Sequence, residues 1–392
     1  MKYCIVILEG LADHPHLRTK NLTPLEIARK PAMDLLASQG RMGAVKTIPP
    51  DFPCDSLINM MSVMGYDPAM YYSGQAAFDA VGMGVALQPD EWACCCQFIS
   101  IFEDSLVDPF GGKLRPAEAD VLITELNEYL AEQQVRLQMG QGHRHLAIFK
   151  ESLEAVKTKE PFLARDQPLK QNYPTGKRAQ RLITVMAKAA ELLRDHDINK
   201  IRLELNENPA NGIWLWGCAK PMSIPAFAEL YHLKGAVISA YPEIQGLAKT
   251  IGLKVVSIPG ITGSWDTDYA AKVKFAVQML TTCDLVFLHL GALAAVTKAG
   301  DVAHKVRTIE QIDEKVIAKL HKELPADTKL LLVGGHFISS QDGLGKYHRM
   351  PFVIWNQQFR NNTGLAFNEK NAQQVNLFIE HGHELLPFLL KT

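Results

Sequence analysis

Apolar and polar positions along the chain follow two periods. KYCIVIL is a continuous apolar run of strand length, closed by the polar turn EGLADHP. It predicts a buried strand. TPLEIARKPAMDLLASQG places Leu25, Ile27, Ala28, Met33, Leu35 and Leu36 at helical spacing, with Pro31 breaking or restarting the helix. RMGAVKTIP predicts another strand. CDSLINMMSVMG opens on an Asx/Ser start and runs as an apolar helix to Gly65. Farther on, KGAVISA, LKVVSI, CDLVFLHL and TKLLLVGG are four strand-like runs, each followed by a helix or loop. This alternation predicts a mostly parallel α/β sheet.

The middle of the chain reads differently. AEADVLITELNEYLAEQQ and RAQRLITVMAKAAELLRDH are long helical patterns, and HRHLAIFK between them alternates like a half-buried strand. The expectation is a core domain over 1–93 and 212–392 with a smaller α+β domain, 94–211, inserted into it.

Composition narrows the function. The 392 residues carry a net charge of -1. That balance argues against a basic nucleic-acid binder. No apolar run reaches the ~20 residues that span a bilayer, and the N-terminal run is too short for a signal-peptide core. No membrane association is expected. The seven cysteines are an odd set without a CxxC pair. Cys94, Cys95 and Cys96 are adjacent and do not bridge one another easily. A reduced, cytoplasmic protein with mostly buried thiols is expected, without structural zinc.

In open α/β sheets, ligands bind beyond the carboxyl ends of the strands. Glu9 and Asp13 follow the first strand, and Asp55 and Ser56 open a helix. Gly291, Ala294 and Lys298 follow CDLVFLHL, and His336 and His348 follow LLLVGG. Glu9, Ser56, His336 and His348 are candidates for one site. A serine at a helix start faces free N–H groups and the positive end of the dipole, which favours phosphate. The plain alternative is that Asp55 or Ser56 only caps the helix. Trp214 and Trp216 read as core or interdomain packing.

The chain resembles the archaeal-type, cofactor-independent phosphoglycerate mutases of the alkaline phosphatase superfamily. The resemblance runs over nearly the whole length. It includes EGLADHP, LTPLEIARKPAMDLLASQGRMGAVKTIP, MGYDPAMYYSG, GHRHLAIFK, NGIWLWG, IPGITGSWDTDY, GGHFIS and KYHRMPFVIW. It implies an alkaline-phosphatase-like fold and phosphoryl transfer through a serine held by two metal ions, usually manganese.

Residue by residue, the resemblance implies a changed site. Glu9 stands where the family has a metal-binding Asp, and Ser56 aligns with the nucleophile, followed by Leu57 instead of Asp. Ala294 and Lys298 stand where the family has an Asp and a His ligand. Gly335 replaces an Asp, whereas His336 and His348 keep the metal histidines. Gln75, Cys95 and Gln97 stand in strings where the family has substrate-binding Arg residues; Arg144 and His145 match as substrate-binding candidates. The expected residual metal set is Glu9, His336 and His348, with Lys298 a candidate metal-replacing cation.

The first reading is therefore a mutase-like protein that has lost two-metal transfer and serves a binding or regulatory role with an unknown protein partner. The alternative is an active phosphoglycerate mutase, or another phosphotransferase or phosphatase, using Ser56. It would bind a small phosphorylated or anionic ligand, with one divalent ion (manganese or magnesium) or none.

Overall fold

The computed structural model describes residues 1–141, 144–359 and 361–392. The chain forms two compact units, one of residues 1–72 with 224–392 and the other of residues 73–223.

The first unit is built on an eight-stranded sheet. Lys2–Leu8 lies between Leu285–Leu290 and Thr328–Gly334 and runs parallel to both. Gly235–Ile238 and Lys254–Val255 extend the parallel part beyond Leu285–Leu290. On the other side Met350–Trp355 runs antiparallel to its two neighbours, Thr328–Gly334 and Arg41–Val45. The three central parallel strands, Lys2–Leu8, Leu285–Leu290 and Thr328–Gly334, are buried along almost all of their length, which explains their largely apolar sequences. Pro31 restarts the helical pattern: Pro24–Ile27 ends before it and Pro31–Gln39 begins on it. A proline is tolerated at the first helical position because its missing N–H would have no intrahelical partner there.

The second unit is an antiparallel sheet centred on the long strand Trp92–Phe102, which pairs with Arg144–Phe149, Gly212–Ala219 and Ser105–Asp108. The helix Pro116–Tyr129 buries Ala119, Leu122, Ile123 and Leu126, one face at helical spacing. Trp214 is buried in this core, and its indole N–H donates to Lys159 O.

Two expectations are corrected. The inserted unit starts near residue 73 and ends near 223, not at 94 and 211. Gly212–Ala219 is a partner of Trp92–Phe102, and Gln75–Met83 packs its alanines into the same core. The thiols are also not all reduced, because Cys94 and Cys218 form a disulfide. Antiparallel pairing brings these two residues, 124 apart in sequence, to a Cα separation of 4.0 Å, which is why no spacing rule within one segment could find them. Five cysteines, Cys4, Cys54, Cys95, Cys96 and Cys283, are outside the disulfide. In denaturant without reductant, five thiols are expected to react with a thiol reagent, and all seven cysteines after reduction. Seven before reduction would show that the pair is open in solution.

Candidate active site

Four neighbouring strands carry polar side chains to the carboxyl edge of the parallel sheet. In spatial order, Gly235–Ile238, Leu285–Leu290, Lys2–Leu8 and Thr328–Gly334 deliver Ser239, His289, Glu9 and His336. Glu9 is fully buried. Its Oε1 accepts from Asn59 Nδ2 at 2.8 Å and lies 3.3 Å from His289 Nε2. Its Oε2 lies 2.7 Å from His336 Nδ1 and accepts from the His336 backbone N–H at 3.4 Å. Burial alone would raise the Glu9 carboxyl. The interactions with His336 and His289 outweigh it and hold the group well below the usual carboxylate range. Gly335 is required here, because any side chain at this position would collide with Glu9 Oε2.

Asn59 belongs to the helix Ser56–Val63. Asp55 is its N-cap, with Oδ1 accepting from Ile58 N at 2.8 Å. Ser56 is thus relieved of capping and stands half-buried as the first helical residue. It lies one turn before Asn59, and residues three apart share a helix face. The helix start, with its positive dipole end, therefore stands one turn from the residue that holds Glu9.

A second helix, Ala292–Lys298, follows the strand Leu285–Leu290 and packs its backbone on the turn after the first strand. A Cβ on Gly10 (φ +72°) would stand 2.9 Å from Ala294 Cα. Ala294 is buried there and Lys298 is exposed at the helix end. His348 is exposed and packs against Phe337, tilted, with ring centroids 4.3 Å apart, and meets His14 edge-on at 5.4 Å. Burial, His14 and Lys346 pull its pKa below the ordinary value. Of the candidates, the structure places Glu9 and His336 in direct contact, with Ser56 one turn from Asn59. His348 packs against rings, and Lys298 faces solvent.

Behind this edge lies a buried ion pair. Asp13 Oδ2 and Lys305 Nζ are 3.0 Å apart, both side chains wholly inaccessible. Asp13 Oδ1 accepts from the backbone N–H groups of His14 (2.8 Å) and Ser340 (3.1 Å). Burial raises Asp13, but Lys305 and Ser340 bring it below its ordinary value.

In the second unit, Arg144 is half-buried at the start of a strand, opposite Gln97. His145 is fully buried, accepts from Gly140 N at 3.1 Å and meets Phe98 edge-on. Burial pushes its pKa down to about 4. It is a core histidine. Gly142 and His143 of the same string lie outside the described residues. Gln75 Nε2 and Cys95 Sγ both donate to Asp79 Oδ2, at 3.3 and 3.2 Å, and Gln97 Nε2 donates to Pro109 O. These side chains, at or beside the positions where the family has arginines, bond within their own unit.

Asn59, His289 and Ser239 were not singled out from the sequence. Their signal was present: one amide inside SLINMMSV and one imidazole inside LVFLHL. A lone polar side chain in a buried apolar run has to find a partner.

The comparisons with known proteins identify the family. The family model of 2,3-bisphosphoglycerate-independent phosphoglycerate mutase matches residues 37–199. A protein of that name from Methanothrix thermoacetophila is 34% identical over 393 aligned positions, covering 100% of both chains. One from Methanosarcina barkeri is 32% identical, again covering 100% of both. A solved structure from Pyrococcus horikoshii superposes with a TM-score of 0.79 at 25% identity, covering 100% of this chain and 97% of its own. With full-length similarity on this scale and a serine-led helix at the carboxyl edge of the sheet, the chain belongs to the 2,3-bisphosphoglycerate-independent phosphoglycerate mutase family.

Proposed function

We propose that this chain is an active phosphotransferase of the mutase type. It moves a phosphoryl group on a small phosphorylated hydroxy acid of the phosphoglycerate class through Ser56. The observation that carries this reading is the buried Glu9 carboxylate, held one helical turn from Ser56 by Asn59 and flanked by His336. The mutase names of full-length relatives support activity over a purely regulatory role.

A second metal ion does not fit. Ala294 offers no donor, Lys298 is exposed and His348 is packed against His14 and Phe337. No step is assigned to it. A single divalent ion fits better. Among the described residues no three His, Cys, Asp or Glu side chains are arranged to hold a metal. Glu9 and His336 nevertheless set an oxygen and an imidazole nitrogen 2.7 Å apart. Asn59 Oδ1 and His336 Nδ1 are buried without a well-formed hydrogen bond. Glu9, His336 and Ser56 would hold the ion. When bound, it supplies Lewis-acid polarisation of a phosphoryl oxygen and charge neutralisation.

The chain's own residues then divide the work. The start of the Ser56–Val63 helix orients the phosphoryl anion through its N–H groups. Ser56 Oγ bonds to phosphorus as the ester O–P bond of the bound acid breaks and the serine proton passes to the leaving oxygen. The acid's other hydroxyl then takes the phosphoryl group as the Oγ–P bond breaks, and its proton returns to Ser56. Glu9, anionic and buried, would repel a phosphate placed beside it, so a positive charge between them is an electrostatic requirement. The cation therefore both attracts the substrate and offsets Glu9.

Saturating purified protein with Mn²⁺ is expected to give one bound ion per chain by elemental analysis, together with interconversion of 3- and 2-phosphoglycerate. Absence of turnover with Mn²⁺, Mg²⁺, Co²⁺ and Zn²⁺ each supplied would overturn the active reading. Two bound ions would overturn the one-ion site.

A further inference from the structure

A cavity of about 540 Å³ opens between the helix Tyr269–Met279 and the segment from Asp313 to Glu323. It shares no lining residue with the site at Glu9 and Ser56. Its size is that of a small-molecule site. Three lysines stand on its walls: Lys274 on the helix, Lys315 in the π-helical turn Asp313–Ile317, and Lys319 in Ala318–Glu323. Among the described residues none of the three is ion-paired. The carboxylates on the same walls are Asp268 and Glu323, so the cavity keeps a net positive charge.

The walls also carry donors that the fold leaves unused. Tyr269 is 5% exposed, and its hydroxyl is buried without a hydrogen-bond partner among the described residues. A buried hydroxyl in that state is costly, and native proteins keep few of them. Burial and the nearby Asp266 push its pKa up to about 12, so at neutral pH it is an O–H donor and not a phenolate. Thr267, on the same wall, is also buried. Its Oγ accepts from Thr262 N at 3.0 Å, which leaves its own proton for another acceptor. Asp268 caps Ala271 N at 2.8 Å. The N–H groups of Tyr269 and Ala270, in the first turn of the helix, have no acceptor within it. The ammonium groups, the hydroxyls and the helix start all have the same complement, a negatively charged acceptor.

We propose that this cavity is a second ligand site, which binds a small phosphate ester. The head group is set by the lysines, compact point charges suited to phosphate, together with the Tyr269 hydroxyl. The ester body follows from the space and the lining. The cavity is far larger than a phosphate ion needs, and Ala270, Val273 and the Tyr269 ring give it an apolar wall. An inorganic ion alone would leave that wall uncovered. Asp268 and Glu323 limit the charge the site takes. With three ammonium groups against two carboxylates, a dianionic monoester fits better than a triphosphate. The site stands on this geometry and does not depend on the role of Ser56.

Phenylphosphonate is the probe, because it carries a dianionic head and an apolar ring in mildly alkaline buffer and has no ester bond for Ser56 to break. In protein labelled with 3-fluorotyrosine, the fluorine NMR signal of Tyr269 is assigned by its loss in Tyr269→Phe and followed as the probe is added. A saturable shift is expected, with a Kd on the order of 1 mM for so small a ligand. Neutral benzyl alcohol is expected to give none. Replacing Lys315 and Lys319 together by Gln is expected to raise the Kd roughly tenfold or more. Both side chains are exposed, so the fold should hold. Absence of a saturable shift would overturn the site. Equal affinity in the double-lysine variant, or an equal response to benzyl alcohol, would overturn the recognition of phosphate. If Tyr269→Phe does not fold, probe binding is read by calorimetry on the unsubstituted protein and the double-lysine variant. A lysine-dependent isotherm is then expected, and identical isotherms would overturn the proposal.

Discussion

Ser56→Ala is expected to lower kcat for phosphoglycerate interconversion by a factor on the order of 10⁴ or more, the scale of loss when a covalent nucleophile is removed. The fold should be untouched. Asp55, not Ser56, caps the helix, and alanine is the best helix former for its first turn. Melting curves of the two proteins should therefore overlay. Divalent-ion binding should weaken but persist, because Glu9 and His336 remain in contact. Progress curves starting from 3-phosphoglycerate check this directly. Activity within tenfold of the unsubstituted protein would mean that another group takes the phosphoryl moiety, and the helix start would be reduced to an anion-binding feature.

Lys305→Met is expected to cost about 3–5 kcal/mol of folding stability, measured by urea unfolding. The loss comes from the carboxylate left behind. The Asp13 side chain is wholly inaccessible and would keep the backbone donors His14 and Ser340, with His16 Nε2 3.9 Å away, but would lose its lysine cation. The double variant Asp13→Asn with Lys305→Met removes both charges and is expected to be more stable than Lys305→Met alone. A double variant less stable than either single one would show that the pair is not energetically coupled. The same region sets an acid limit. Asp13 and Glu9 both titrate below their ordinary range in the folded chain. Their contribution is complete above the unfolded carboxylate value of about 4. It is lost as the pH falls through the lowered folded values.

Much of the core was legible because a parallel sheet writes itself as apolar runs. KYCIVIL, CDLVFLHL and TKLLLVGG each became a central strand. Glu9 and His336 were legible because they fall just past strand ends, where ligands bind. Ser56 was ambiguous from spacing alone, since Asp55 and Ser56 are both good caps, and only the geometry assigns the cap to Asp55. His289 and Asn59 sit inside buried elements, so their roles depend on which strand lies beside which. That is a matter of sheet order, which local pattern does not encode. The limits of the inserted unit were misplaced for the same reason: Gly212–Ala219 looks like any strand until its antiparallel pairing with Trp92–Phe102 is known.

The strand order also bears on how the protein is made. Lys2–Leu8 is synthesised well before both of its partners, Leu285–Leu290 and Thr328–Gly334. The 73–223 unit meanwhile holds its whole sheet within its own residues and can fold as it emerges. At ~5–20 residues per second, this apolar strand waits unpaired for tens of seconds. Its exposure during that interval makes Lys2–Leu8 the segment where a folding chaperone has the most to protect.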